Sequence, residues 1–194
     1  LPDTEVPAGV DYDMWLGPAP MRPFNMNHFH YSWHWFWVYS GGDIINDGVH
    51  QIDLLRWCIN KDYPKSVSST GGIFYYNDDQ QTPDTHVVTW DYDDMTAVFE
   101  QALWAPYMRK TPWEDREKDF IPEWPFNGTR VEVYGTKQKM NVGRHGDGFQ
   151  VFDETGKPLN FSKSGHPHEP HIDNFYECVK SRKLPNSDIE ELHK

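Results

Sequence analysis

Two groups of residues in this chain have the types and spacing to do chemistry. His30 and His34 stand four apart with Trp33 and Trp35 interleaved, in a stretch from His28 to Trp37 that holds three His and three Trp. Imidazoles that hydrogen-bond hydroxyls, beside indoles that stack on a ring, would make a sugar-binding wall. The same residues admit a metal site, because His28, His30, His34 and His50 include ligand-like spacings, and they also admit a purely structural aromatic cluster. The second group is Asn46, Asp47 and His50. An imidazole titrates near neutral pH and suits proton transfer; a hydrogen-bonded core histidine is the plainer alternative. Asn46, four residues earlier, would lie one helical turn away, where it could orient the ring or bind a neighbouring hydroxyl. Asp47 joins it on the polar side as a hydroxyl ligand. Arg22 could hold a carboxylate or phosphate, or be a solvated surface cation.

These residues need elements to place them. Residues 1–27 are rich in Pro and Gly, with Trp15-Leu16-Gly17-Pro18 at their centre, and read as an extended arm with turns, which together with the aromatic-His segment makes up 1–40. Gly41-Gly42 breaks the chain, and Asp43 can cap a following helix. Ile45, Val49, Ile52 and Leu55 recur at helical spacing, so a helix is expected over 41–60, with Asn46, Asp47 and His50 off its apolar stripe. Val67–Tyr76, His86–Tyr92, Thr96–Trp104, Val131–Tyr134, Lys139–Val142 and Phe149–Phe152 read as strands of a sheet over 65–155. The proline-rich stretch 105–127 reads as a long functional or interfacial loop. A last helix is expected over 169–182, with His166, His168 and His171 in or beside the loop before it. The class implied is α+β: a largely antiparallel open sheet with helices on one face.

Composition removes several functions. The chain has 194 residues, the size of one domain, and a formal net charge of -12 with its basic residues scattered. Phosphate backbones require clustered Lys and Arg, so nucleic acid is not an expected partner. No run of about twenty apolar residues is present to span a membrane. Aromatic residues make up 15 % of the chain and carry much of its apolar surface, because mean hydropathy is only -0.80. Cys58 and Cys178 fit buried thiols better than a disulfide. The start, Leu1-Pro2-Asp3-Thr4, shows neither Met nor a signal peptide. Dinucleotide folds place G-x-G-x-x-G between a strand and a helix. The glycine cluster here, Gly143 to Gly148, has a different order and falls between expected strands.

The segment Gly41-Gly42-Asp43-Ile44-Ile45-Asn46-Asp47-Gly48-Val49-His50-Gln51-Ile52-Asp53 resembles the C-terminal domain of the glucose–fructose oxidoreductase / inositol dehydrogenase / MocA (Gfo/Idh/MocA) family. There a Gly-rich stretch opens a helix that carries an Asp and, four residues later, a His. Val10 to Pro20, the run from His30 to Trp37, His171 to Phe175 and Ser181 to Asn186 are similar to the same family. Two features depart from its pattern. Asn46 occupies the Asp position and cannot take a proton, and the family's Glu-Lys-Pro segment is absent.

The resemblance implies the substrate-binding and oligomerising domain, over 1–194, of a two-domain dehydrogenase whose Rossmann domain is not in this chain. It implies NAD or NADP in the longer protein, with none held by this chain alone, and a sugar, glycoside or cyclitol hydroxyl as the group oxidised. His50 would be the base or its relay, Asn46 its neighbour, and His30, Trp33, His34, Trp35 and Asp47 the substrate wall. Relatives that use NAD transiently would make the reaction a glycoside cleavage or elimination. A non-catalytic carbohydrate-binding or oligomerisation module is the third alternative. Self-association through the open sheet face is expected. Bacterial cytoplasm and periplasm fit equally.

Overall fold

A computed structural model of the chain describes residues 1–105, 129–143, 148–162 and 168–193. They fall into two units: residues 1–49, 66–91 and 95–104 form one, and residues 50–65, 92–94 and 105–194 the other.

The first unit starts with a small aromatic core rather than a bare extended arm. Asp11 caps the short helix α1 (Tyr12–Leu16), its carboxylate accepting the Met14 N–H at 3.0 Å. Tyr12 and Leu16 then face inward and meet Phe24, with Trp15, Phe29 and Tyr39 packed around them. Each such burial contributes about 2 kcal/mol. The amino-terminal strand is pinned to this core by Thr4 N–H to Phe24 O at 2.9 Å and by Asn25, whose amide donates to Leu1 O and Asp3. Two 3-10 segments follow, Met26–His28 and His30–Trp35.

Three antiparallel strands complete this unit in the order β1 (Ser66–Gly72), β2 (Thr85–Asp91), β3 (Thr96–Ala102). Side chains alternate across such a sheet. Val88 opposes Phe99 and Trp90 opposes Ala97, so these residues share the inner face, on which Val88 and Ala97 are buried. The backbone of Gly48 comes so close to this face that a Cβ there would lie 2.9 Å from the Phe99 ring. The opposite face carries Ser68, Thr70, Val87, Thr89, Val98 and Glu100, none of them buried.

The stretch 41–60 is helical, but in two pieces, α2 (Asp43–Asn46) and α3 (Gly48–Ile59). Asn46-Asp47-Gly48 is a run of poor helix formers, and the close approach at Gly48 fixes where the second piece begins. The four-residue spacing from Asn46 to His50 is therefore not carried by one uninterrupted helix.

In the second unit β4 (Val131–Tyr134), β5 (Gln138–Val142), β6 (Phe149–Asp153) and β7 (Pro158–Ser162) form an antiparallel meander. Asp153 shapes its last hairpin by accepting from Thr155 N–H at 2.8 Å, the Thr155 hydroxyl at 2.7 Å and Lys157 N–H at 2.9 Å. Gly143 and Gly148 close the connection between β5 and β6, with a backbone bond of 3.0 Å, so the glycine cluster joins two antiparallel strands. The helices α4 (His168–Ser181) and α5 (Ile189–His193) follow, and Arg56 on α3 donates to Glu191 O on α5 at 2.9 Å. The described strands thus lie in two antiparallel sheets rather than one, and the second extends past residue 155. His166 and all of the proline-rich stretch except Ala105 lie outside the described residues.

Candidate functional site

The end of the aromatic run is tied by hydrogen bonds to two residues of the β1–β2 connection, Gln81 and Thr82, and to Gly42. Trp35 O accepts Gln81 N–H at 3.0 Å, Thr82 N–H at 3.2 Å and the Thr82 hydroxyl at 3.3 Å, while Gly42 N–H reaches His34 O at 3.0 Å. Thr82 is fully buried and lies directly against Gly42, so close that a Cβ on Gly42 would sit 2.7 Å from it. Gly42 has φ 81 and ψ -155, a conformation essentially restricted to glycine. Gly42→Ala is expected to cost roughly 2–4 kcal/mol, from backbone strain plus overpacking. Gly9 supplies the control: it has a similar φ of 83 with open space around it. Urea unfolding should show a clearly smaller loss for Gly9→Ala, and equal losses would mean that the Thr82 contact contributes nothing.

Two residues further along, Asp84 holds the β1–β2 connection. Its fully buried carboxylate accepts the N–H groups of Phe74, Tyr75 and Tyr76 at 2.9–3.1 Å and the Thr85 hydroxyl at 2.8 Å. Burial disfavours the charge, but these donors outweigh it and keep the carboxyl below the usual carboxylate range. Thr85 in turn accepts the Trp104 indole N–H at 2.8 Å. Side chains two and three residues apart therefore fix the aromatic run, a loop and the end of β3.

The expected wall residues separate within this frame. His34 is only 1 % exposed, packed against Tyr31, Trp33 and Trp35, and is a core side chain of this chain rather than an open wall. Its Nδ1 donates to Tyr31 O. A carbonyl can only accept, so in the neutral ring Nε2 is the bare acceptor, and it has no partner among the described residues. Trp35 is half-buried. His30 is exposed, in a left-handed backbone conformation with φ 52, its ring against Phe29. Trp33 is 40 % exposed and lines an open groove of about 520 Å³ together with Trp15, Pro18, Pro20, Val38 and Tyr39. Trp15 and Tyr39 were not among the expected site residues; the Trp15-Leu16-Gly17-Pro18 motif was the available sign. Burial and the adjacent Tyr12 hydroxyl push Tyr39 up to about 12.

Asn46 ends α2 and Asp47 caps it, both half-buried. His50 is exposed on the first turn of α3. Asp53, three residues on, lies within electrostatic reach of His50. Burial raises its carboxyl above the ordinary range, and Arg56 and His50 partly offset that effect. The sequence pattern contained Asp53, but its spacing from His50 is what makes it a partner. Among the described residues no group of three or more His, Cys, Asp or Glu could hold a metal ion, so the metal reading of the histidines gains no support. Cys58 is exposed rather than buried, Cys178 is half-buried, and both are free thiols. No helix among the described residues is long and apolar enough to cross a membrane.

Comparison with known proteins gives the fold a family. The chain resembles, among solved structures, one described as an oxidoreductase of Thermotoga maritima, with a TM-score of 0.57 and 17 % identity over 82 % of this chain and 43 % of that one. An Erwinia carotovora atroseptica protein so described matches with a TM-score of 0.56 and 13 % identity, over 82 % of this chain and 46 % of the other. The chain thus spans less than half the length of either. No curated protein sequence matches. The model of an oxidoreductase family's C-terminal alpha/beta domain matches residues 1–101, which include the groove, Asn46, Asp47 and His50. The chain belongs to the Gfo/Idh/MocA oxidoreductase family, in its C-terminal α/β domain.

Proposed function

We propose that this chain is the substrate-binding domain of an NAD(P)-dependent oxidoreductase that acts on a hydroxyl of a sugar, glycoside or cyclitol. The observation that carries this reading is the exposed imidazole of His50 on the first turn of α3, within the segment that matches the family. Oxidising a secondary alcohol requires removal of a hydride and of the hydroxyl proton. A bound nicotinamide would supply the hydride acceptor. Among the described residues no glycine-rich turn joins a strand to a helix where it could cradle a pyrophosphate; the part assigned to this chain is to bind the substrate and move the proton.

His50 takes that proton or relays it. Asn46 and Asp47 offer hydrogen bonds to neighbouring hydroxyls. The exposed ring of Trp33, with Trp15 and Tyr39, supplies a stacking surface for a sugar face. The test is an assay of the full-length protein with NAD+ or NADP+ and a panel of sugars, glycosides and inositols, following reduced nicotinamide. Formation of the reduced cofactor with one class is expected. Cleavage or elimination products without net reduction would sink the redox form of the proposal. Self-association through the open face of β1–β3 belongs to the same reading, and a monomer in light scattering of the full-length protein would count against it.

A further inference from the structure

Arg22 is the one Lys or Arg side chain of the first unit. The chain carries a formal net charge of -12, so carboxylates are abundant, yet Arg22 forms no ion pair or hydrogen bond among the described residues. It is not a solvated surface side chain either: it is half-buried, and its Nε is buried without a partner. Leaving such a donor unmet is costly, and a guanidinium is a planar fork matched to two oxygens of one anion.

The surroundings hold this fork in place without neutralising it. Its Cζ lies 5.8 Å from the centroid of the Tyr39 ring, a cation–π contact. The Tyr39 ring also lines the groove with Trp15 and Trp33. His28 sits beside the same ring, 5.9 Å away between centroids, and its Nδ1 is likewise buried without a partner. Burial and the Arg22 charge both push the His28 imidazole towards its neutral form, so it offers a hydrogen bond rather than a second charge.

We propose that Arg22 is an anion anchor: it binds a carboxylate or phosphate carried by a hydroxylated ligand whose ring lies against Trp15, Trp33 and Tyr39. This rests on the sugar-binding reading and adds the charge of the ligand to it. A neutral sugar would occupy the aromatic groove and leave the guanidinium charge without a counter-charge. An anionic one would supply that counter-charge as well.

The experiment is calorimetric titration of the full-length protein with three probes, D-glucose, D-glucuronate and D-glucose 6-phosphate. One of the anionic sugars is expected to bind at least about tenfold tighter than glucose, and which one tells carboxylate from phosphate. The advantage should shrink as salt rises. It should disappear in Arg22→Gln and survive in part in Arg22→Lys, which keeps the charge and loses the fork. Circular dichroism of both variants checks the fold, and the Lys variant keeps the test valid if the Gln variant unfolds. Equal affinity of wild type for all three probes, or an anionic advantage unchanged in Arg22→Gln, overturns the anchor alone. No binding of any probe overturns the sugar reading together with it. Anionic preference without hydride transfer would sink the proposed reaction and leave the anchor standing.

Discussion

Asp84→Ala is expected to destabilise the protein by roughly 3–5 kcal/mol, because it strips the acceptor from four donors at once. Marginal stability for a domain is about 5–15 kcal/mol, so this is a large share of the whole. The carboxylate is fully buried, and the three amides it binds belong to consecutive residues, Phe74, Tyr75 and Tyr76, with the Thr85 hydroxyl completing the set. Asp84→Asn keeps the shape but turns an NH2 towards amide donors, and should cost about half as much. The two forms also differ in pH dependence. The folded carboxyl is held below its ordinary value, so its stabilisation is complete above about pH 4, the unfolded value, and is lost as pH falls through the lower folded one. Urea midpoints of wild type and Asp84→Asn should therefore lie far apart at about pH 7 and approach one another at about pH 3. A gap of the same size at both would show that the charge is not what holds the loop.

Asp84 also marks what the sequence could not reveal. Its neighbours Gln81, Thr82 and Pro83 read as an ordinary turn between strands, and nothing local says that they will reach across to Trp35 or that Asp84 will gather three amides from the start of the same connection. Those bonds span between 8 and 47 positions along the chain. Periodic signals fared better, since they depend only on neighbours. The alternation in Thr85–Asp91 and Thr96–Ala102 and the stripe in α3 gave elements within a few residues of those observed. Strand β7 escaped because Pro158-Leu159-Asn160-Phe161-Ser162 has no β-branched residue and pairs only through its hairpin with β6. The arm over 1–27 looked extended because its Pro and Gly hide a five-residue helix whose burial comes from Phe24 and Tyr39, far along the chain. The histidines show the same limit. Spacing put His30 and His34 together, but tertiary packing buried one and exposed the other, and it gave the open surface to Trp15, Trp33 and Tyr39.

His50→Gln is expected to lower kcat of the full-length enzyme by about 10²–10⁴-fold with a much smaller change in KM. Glutamine keeps much of the size of the side chain and its ability to hydrogen-bond, but it cannot take a proton, so substrate binding should survive where turnover does not. Because His50 is exposed on the first turn of α3, the substitution leaves no buried cavity, and the fold should be retained. Asp53 provides the second arm of the test. Its carboxylate interacts with His50 and Arg56, while Arg56 is also tied to the backbone of Glu191 at 2.9 Å. Asp53→Asn removes that negative charge while keeping the size of the side chain. kcat is then expected to fall, but less than in His50→Gln, with KM little changed. A purely structural role for Asp53 would lower stability and leave kcat of the folded enzyme unchanged. Turnover of His50→Gln at the wild-type rate would remove His50 as the proton acceptor and shift the search to the residues around Asn46 and Asp47.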